Sequence, residues 1–317
     1  MSLLQFLKKW TLPVAIAMGV ALYVPFAFLP PLEPVGTWLS PFFDDSLPVL
    51  MFAVLFVTFC KVDFRKMTIT RWHWWILGGQ LLLLLVATAL ILTGRYEGEN
   101  LAVMESMLCC LIAPCATASP IVTSKLGGSL EGATAYTFLS NLVMAFLIPV
   151  IFPLVNPAAD VGFFSAFFII LKKICMVLLM PMLLAHFVKR YLPRFHGRII
   201  AVRDLSFYLW AVCLAIVVGA TVRNIVHAHT TVGVILLIAG ISLLTCLLQF
   251  AAGKLIGHRL GYSIECGQAF GQKNTSFAIW IACAYLIPLS SLGPGCYILW
   301  QNIFNSWELA HDASKKK

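Results

Sequence analysis

The chain has 317 residues, of which 61% are hydrophobic and 11% charged, and its mean hydropathy is positive. Soluble domains do not have this composition, so we predict an integral membrane protein with almost no room for a soluble domain. The net charge of +9 is attributed to basic loops on one side of the membrane, and no nucleic-acid partner is expected.

Ten apolar segments are long enough to span a bilayer, and each is predicted to be a transmembrane helix. In chain order these spans cover residues 12–30, 46–60, 73–93, 102–123, 131–155, 172–190, 204–222, 231–253, 262–288 and 293–310. Lys8 and Lys9 precede the first span as they would a signal peptide, but no small-residue cleavage site follows. The predicted fold class is therefore an all-α polytopic membrane protein.

The basic residues between the spans predict the orientation of the chain. With the N-terminus in the cytoplasm, the outer loops hold Arg95 and Arg223, with Lys172 and Lys173 at the outer interface. The inner side receives Lys8, Lys9, Lys61, Arg65, Lys66, Arg71, Lys125, Lys189, Arg190, Arg194, Arg198, Arg203, Lys254, Arg259, Lys315, Lys316 and Lys317. Both termini are therefore expected in the cytoplasm, with the protein in the plasma (inner) membrane.

The ten spans divide into two halves of five, residues 1–155 and residues 156–317. Because each half has an odd number of helices, the two halves enter the membrane from opposite sides, as in an inverted repeat. In transporters built this way, interrupted helices at matching positions mark the binding site.

Spans four and nine, the fourth of each half, both carry a polar interruption. Span four contains "APCATASPIVTSKLGG" (113–128), and span nine contains "FGQKNTSF" (270–277). Both stretches are rich in small and polar residues inside otherwise apolar segments. They are therefore predicted to be broken helices and the place where a solute binds.

Capping residues predict where the second half of each broken helix begins. Ser119 before Pro120 is typical of an N-cap followed by proline in the first turn, and Asn274, Thr275 and Ser276 offer the same capping chemistry. Two half-helices would then point their N-termini into the membrane centre. Because helix N-termini carry positive dipole ends, this arrangement is expected to attract an anion.

Lys273 lies near the middle of span nine. It follows the start of that span by eleven residues, or roughly 16 Å at helical rise. A lysine at that depth costs on the order of 2.5–3.5 kcal/mol on insertion scales, so it should face a partner, a water-filled cavity or a substrate. Two interpretations stay open: an ion pair with Glu265 or another buried carboxylate, or a direct role with substrate or in coupling.

Other polar residues in or near the spans allow both a structural and a functional interpretation. Gln80, in "GGQLLLLL", either joins helices or lines the site, and Asn302, in "LWQNIFN", has the same two interpretations. Cys115 is either packing or a ligand. Glu105 and Glu131 lie near predicted span ends and are expected to face the membrane interface.

Metal, cofactor and enzyme chemistry is not indicated. The ten cysteines form no CxxC pair and the histidines form no cluster, so neither a disulfide framework nor a metal site nor a cofactor is expected. HExxH, GxSxG, glycine-rich nucleotide loops and paired intramembrane aspartates are absent from the sequence, which argues against an enzyme.

Three short motifs resemble those of the bile acid sodium symporter superfamily: "TAS" in span four, "GQKNTSFA" in span nine and "QN" in span ten. Together with the ten-helix plan, the resemblance covers nearly the whole chain. It implies a core domain of spans 3–5 and 8–10, built on crossed, broken spans four and nine, and a panel domain of spans 1–2 and 6–7. It also implies transport of organic anions by alternating access.

The chain departs from the sodium-coupled members that it resembles. In those members asparagine follows "TAS", whereas Pro120 stands there in this sequence. Their span-nine motif is Glu-x-Gly-x-Gln-Asn; with Gly271 and Asn274 aligned, Ala269 takes the glutamate position and Lys273 the glutamine position. Because a carboxylate is lost and an ammonium gained, Lys273 is predicted to stand where a sodium ion usually sits.

The predicted function is secondary transport of an organic anion, bile-acid-like or a small carboxylate, without sodium. Lys273 would serve as a fixed cation, a carboxylate partner or a proton carrier, so proton coupling stays open. The residues predicted to contact substrate are Lys273, Asn274, Thr275, Ser276, Thr117, Ser119, Gln80 and Asn302. Those predicted for coupling or ion pairing are Lys273, Glu265 and Gln272.

Three alternatives stay open. The first is arsenite efflux of the related arsenical-resistance type, with Cys115 as a thiolate ligand. The second is sodium-coupled symport with Glu265 as ion ligand, because a second register of the motif through "ECGQ" (265–268) restores the glutamate. The third is a receptor that retains the fold without transporting a solute.

Overall fold

The computed structural model describes residues 10–29, 31–156, 162–228 and 230–315, so Lys8, Lys9, Lys316 and Lys317 of the topology prediction lie outside the described residues. Within these ranges the chain is helical, and β-pairing is confined to one isolated bridge. The helices are α1 (Thr11–Phe28), α2 (Glu33–Lys61), α3 (Arg71–Gly94), α4 (Gly98–Ile112), α5 (Ser119–Lys125), α6 (Leu130–Val155), α7 (Phe163–Ile174), α8 (Met180–Tyr191), α9 (Pro193–Ala201), α10 (Leu205–Val226), α11 (Val232–Leu260), α12 (Ser263–Gly271), α13 (Thr275–Tyr285) and α14 (Leu292–Lys315). Short 3₁₀ turns cover Phe64–Lys66 and Pro288–Ser291, and a π-helical turn, Cys175–Leu179, joins α7 to α8.

Six helices among the described residues are long and apolar enough to cross a membrane, namely Pro34–Lys61, Arg71–Gly94, Leu130–Val155, Phe163–Tyr191, Leu205–Val226 and Val232–Leu260. Their outward faces are apolar: on α3, Leu82 and Leu85 are 62% and 63% exposed, whereas Leu84 is 1% exposed. Large exposed apolar surfaces are unfavourable in water but normal in lipid. The predicted class, a helical multi-pass membrane protein, is confirmed, while the count of ten crossings stays a prediction.

The chain forms two compact units. The first comprises the residues up to Val62, Val177–Ala228 and the residues from Asn302, and thus contains α1, α2, α8, α9, α10 and the end of α14. The second comprises Asp63–Met176 and His229–Gln301, and thus contains α3 to α7, α11 to α13 and the start of α14.

In the first unit, α1 and α10 lie in close contact because Gly19 has no side chain. A Cβ at Gly19 would lie 2.4 Å from the carbonyl oxygen of Ala215, a distance that no larger residue tolerates without a shift of the backbone. The basic stretch between α8 and α10 forms the short helix α9. The ring of His196 on α9 donates to the carbonyl oxygen of Cys60, 2.8 Å away, which attaches this short helix to the end of α2.

The second unit contains a buried carboxylate that the sequence did not predict. Glu105 lies in the middle of α4 and is 0% exposed. Its Oε2 accepts hydrogen bonds from the backbone N–H of Ile287 and the hydroxyl of Ser290. The expectation that Glu105 faces the membrane interface is wrong, because α4 turns this side chain inward onto the Pro288–Ser291 turn.

The sixth span begins earlier than the sequence suggested. One helix runs from Phe163 to Tyr191, so Lys172 and Lys173 follow its start by nine and ten residues, or roughly 15 Å at helical rise. The Nζ of Lys173 lies 3.6 Å from the ring centroid of Trp280. The face of the Trp280 ring accommodates the Lys173 ammonium within the second unit, and the position of both lysines at the outer interface stays a prediction.

Candidate functional site

The two polar interruptions cross each other in the second unit. The first, residues 113–118, separates α4 from α5, and the second, residues 272–274, separates α12 from α13. They pair as a short antiparallel bridge: Ala116 N–H donates to Gln272 O and Asn274 N–H donates to Pro114 O, each at 2.9 Å. Because lipid cannot hydrogen-bond to an interrupted helix, each break satisfies part of the other's backbone.

Side chains of α3 and α6 satisfy the first break. Nε2 of Gln80 donates to the carbonyl oxygens of Leu111 and Ala113, both at 3.0 Å, and the Tyr136 hydroxyl donates to Gln80 Oε1. The hydroxyl of Ser140 accepts from the N–H of Cys115 at 3.0 Å. Gln80 therefore caps the C-terminus of α4, and its contact with a solute stays a prediction.

Side chains of α11 and α14 satisfy the second break. Gln301 binds both backbone groups of Lys273: its Oε1 accepts from the N–H at 2.8 Å, and its Nε2 donates to the carbonyl at 3.2 Å. The hydroxyl of Tyr297 donates to Gly271 O at 2.8 Å and accepts from Gln249 Nε2 at 3.0 Å. Sequence reasoning missed these three residues, although Gln249 carries the same signal as Gln80, an amide inside an apolar span.

The side chain of Lys273 is enclosed beside the bridge. It is 1% exposed, and among the described residues its Nζ has no hydrogen-bond partner. The ring centroid of Phe270 lies 5.5 Å from Nζ, and the thiols of Cys110 and Cys115 lie within electrostatic range.

The predicted ion pair between Lys273 and Glu265 is wrong. Glu265 Oε1 accepts from the N–H of Ser129 at 2.8 Å, next to the start of α6. The Glu265 carboxylate contacts the loop before α6 rather than Lys273, because Glu265 lies in the first turn of α12, two helical turns before Lys273. Lys66 and Asp63, both exposed, do form an ion pair at 4.0 Å.

The remaining predicted residues have these positions. Asn274 is the N-cap of α13, and its Oδ1 accepts from the N–H of Phe277 at 3.2 Å, so the predicted capping is confirmed. In the first break the cap is one residue early: α5 begins at Ser119 itself, after Ala118. The others near the two breaks are buried or half-buried, namely Thr117, Ser119, Gln272, Thr275 and Ser276.

Two predicted residues need separate mention. Asn302 is buried in α14 but belongs to the first unit, so the second unit does not include it. Cys115 is buried in the first break, where its thiol accepts from the hydroxyl of Thr137 at 3.7 Å. Across the described residues, no group of three or more His, Cys, Asp or Glu is placed to hold a metal ion.

Crossed, interrupted helices inside an apolar multi-pass bundle define a membrane transporter architecture. In agreement, residues 48–228 match the model of the sodium bile acid symporter family. The match covers more than half of the chain, so the chain belongs to this family. The family is one of transporters rather than enzymes, and membership implies a bilayer environment and a transported solute. A search of curated proteins gives no match.

Proposed function

We propose that the protein transports an organic anion by alternating access without sodium, and that Lys273 supplies the positive charge that a sodium ion supplies elsewhere in the family. One observation carries the proposal: the Lys273 amino group is buried at the crossing of the two breaks, and no acidic side chain of the described residues pairs with it. An unpaired ammonium in a low-dielectric interior is costly, and an anionic solute would remove that cost.

The local backbone also favours an anion. Lys273 immediately precedes Asn274, the N-cap of the eleven-residue α13. A helix N-terminus carries a partial positive charge that stabilises anions within the first turn. Lys273 therefore stands immediately before a helix end that favours an anion.

The same charge opposes sodium. At the family's glutamate position stands Ala269, and Lys273 stands at its glutamine position, both of them buried. One unit charge about 4 Å from another contributes on the order of 4 kcal/mol at an effective dielectric constant of about 20. That repulsion would lower sodium affinity by roughly a thousandfold.

The wider plan of the transporter is part of the proposal. We propose ten crossings in an inverted five-plus-five repeat, residues 1–155 and 156–317, with both termini in the cytoplasm and the protein in the plasma (inner) membrane. Support comes from the order of the breaks, which interrupt the fourth and ninth predicted spans. The proposed core, spans 3–5 and 8–10, and panel, spans 1–2 and 6–7, are supported by the division into two compact units.

The test is flux of organic anions into proteoliposomes, measured in sodium and in choline buffer for a panel of a bile acid, a steroid sulfate and a small 2-oxo acid. For a transported anion we expect equal flux in both buffers. We expect Lys273→Gln to lower this flux about a hundredfold, the equivalent of about 2.7 kcal/mol. The matched control is Lys66→Gln, which removes an exposed lysine and should leave flux unchanged.

Three other outcomes would replace the proposal. Flux that requires sodium and is lost in Glu265→Gln would assign this carboxylate as the ion ligand. Arsenite resistance of cells that express the protein, lost in Cys115→Ala, would assign arsenite efflux. Binding of an anion with no flux of any solute would indicate a receptor.

A further inference from the structure

The short helix α9 lies at a surface of the bilayer. It belongs to the stretch 192–204, which joins two helices that are long and apolar enough to cross a membrane, Phe163–Tyr191 and Leu205–Val226. Helices that cross a bilayer begin and end at the headgroups, so a connection this short stays at that level. α9 is therefore placed where lipid headgroups are found.

Contacts with a third membrane-crossing helix hold α9 at this level. Besides the hydrogen bond from His196 to Cys60 O, the ammonium of Lys61 donates to the carbonyl oxygens of Val202 and Arg203, at 3.2 Å and 2.8 Å. Cys60 and Lys61 are the last two residues of α2. A basic side chain on the final carbonyls of a helix stabilises its C-terminus, so these contacts fix both the position and the end of α9.

Five basic residues in α9 and beside it have their charges free. All are exposed, and none of their side chains has an ion pair or hydrogen bond with a described residue; they are Lys189, Arg190, Arg194, Arg198 and Arg203. The stretch from residue 189 to residue 204 has one acidic side chain, that of Asp204. Like charges on neighbouring residues repel one another, and an anionic surface relieves that repulsion.

Apolar side chains flank these charges. Arg194 and Arg198 lie on one face of the helix because they are four residues apart, and Phe195 and Ile199 lie on another for the same reason. Ile199 is 8% exposed and attaches its face to the first unit, whereas Phe195 and Ile200 are 50% and 44% exposed. A helix with basic residues on one side and exposed apolar residues on another is typical of the boundary between headgroups and acyl chains.

We propose that α9 and the five basic residues bind the headgroups of anionic phospholipids, with Phe195 and Ile200 entering the boundary with the acyl chains. Clusters of roughly four to eight basic residues on such a helix bind anionic lipids. A zwitterionic lipid would bring its own cation to the cluster. An acidic protein or a nucleic acid would pair with the charges but has no apolar layer for Phe195 and Ile200. The combination therefore favours a lipid with a net negative headgroup.

The first test is native mass spectrometry of the full chain, released from vesicles that contain equal amounts of phosphatidylglycerol and phosphatidylcholine with identical acyl chains. Each basic residue near the surface favours an anionic lipid by about fivefold. We therefore expect the unmodified chain to retain phosphatidylglycerol preferentially, and Arg194→Gln/Arg198→Gln to lower the ratio of the two retained lipids roughly 25-fold. Arg194→Lys/Arg198→Lys keeps both charges and should keep the ratio.

The matched control is Arg65→Gln/Lys66→Gln, which removes two exposed basic residues of the second unit. Lys66 has an acidic partner, Asp63, 4.0 Å away, so we expect this change to lower the ratio far less. Equal losses in the two double variants would mean that the preference follows total charge rather than α9, and would overturn the proposal. So would a preference for phosphatidylglycerol that survives Arg194→Gln/Arg198→Gln, which would leave the cluster to another anionic partner.

The second test locates the contact by hydrogen exchange in nanodiscs of each lipid. We expect the backbone amides of residues 194–201 to exchange more slowly in phosphatidylglycerol than in phosphatidylcholine, because a bound surface opposes local opening of the helix. Phe195→Ser should reduce that protection, whereas Ile69→Ser, at an exposed apolar residue of the second unit, should leave it unchanged. Equal exchange of α9 in both lipids would overturn the proposal. Lys273→Gln should leave both measurements unchanged, so these tests are independent of the proposed transport function.

Discussion

In both breaks a glutamine side chain satisfies backbone groups that the interrupted helix leaves unpaired. The two breaks differ in the charge that they carry. In each, a glutamine from a neighbouring helix binds exposed backbone groups: Gln80 binds the carbonyls of Leu111 and Ala113, and Gln301 binds both groups of Lys273. The first break carries the neutral Cys115 at the bridge, whereas the second carries an ammonium.

The glutamine contacts, which both breaks share, support the backbone, whereas the side chain of Lys273, which only the second break has, is the feature that we assign to function. Backbone satisfaction is required wherever a helix is interrupted inside a membrane, and it says nothing about the solute. A buried ammonium without an acidic partner serves no such requirement and costs free energy. The second break is therefore where we place the interaction with an anion, and the following predictions test the contrast.

The largest effect on stability is expected when either glutamine is removed. Gln80→Ala leaves the carbonyls of Leu111 and Ala113 without this donor, whereas Gln301→Ala leaves the Lys273 N–H unpaired and its carbonyl with Thr275 N–H alone. Each unpaired buried group costs about 1–3 kcal/mol. We expect both variants to unfold at clearly lower temperature in detergent. Anion flux per folded molecule should also fall in Gln301→Ala, which releases Lys273. Equal flux in the two variants would remove the contrast between the breaks.

A comparable loss is expected at the half-helix before the first break. Glu105→Ala removes the acceptor for Ile287 N–H and the Ser290 hydroxyl, and one half-buried and one buried donor without a partner cost about 2–4 kcal/mol. Glu105→Gln keeps one oxygen acceptor and should lose much less. Thermal unfolding of the two variants distinguishes them. A loss of equal size in both would mean that the negative charge, rather than the acceptor, matters.

The opposite effect on the free energy of unfolding, an unchanged or higher value, is expected when Lys273 in the second break is replaced. Lys273→Met replaces a buried, unpaired amino group by an apolar side chain of similar length. Because it removes the cost of burying an unpaired polar group, we expect the change to be neutral or stabilising by about 1–3 kcal/mol. The unfolding temperature without ligand should therefore stay equal or rise while anion flux is lost. Lower stability of Lys273→Met would indicate a structural cation and would contradict the proposed function.

The smallest effect is expected beyond the second break, where Lys173 lies over the ring of Trp280 on α13. A partly desolvated cation–π contact contributes about 1 kcal/mol. A double-mutant cycle with Lys173→Met and Trp280→Leu should give a coupling energy of that size. A coupling energy near zero would mean that the ammonium is held by other groups.

Local features of the sequence predicted much of this site. Proline, glycine and small polar residues cannot continue an apolar helix, so "APCATAS" and "GQKNTS" marked both breaks, and Asn274 marked the cap of α13. Predictions that required a partner from elsewhere in the chain did worse. The sequence predicts that Glu265 pairs with Lys273 on the same span, but its carboxylate accepts from Ser129 N–H. It predicts that Glu105 faces the interface, but that carboxylate accepts from the Ser290 hydroxyl.

The sequence by itself determined the class of protein, because apolar length and composition decide whether a segment prefers lipid to water. It also determined where helices must break and which break carries a charge. The tertiary structure decided which distant side chains satisfy those breaks, since hydrogen-bond partners such as Gln80 and Leu111 are chosen by packing rather than by sequence spacing. It also decided where space is left, because a cavity exists only once helices far apart in the chain pack together.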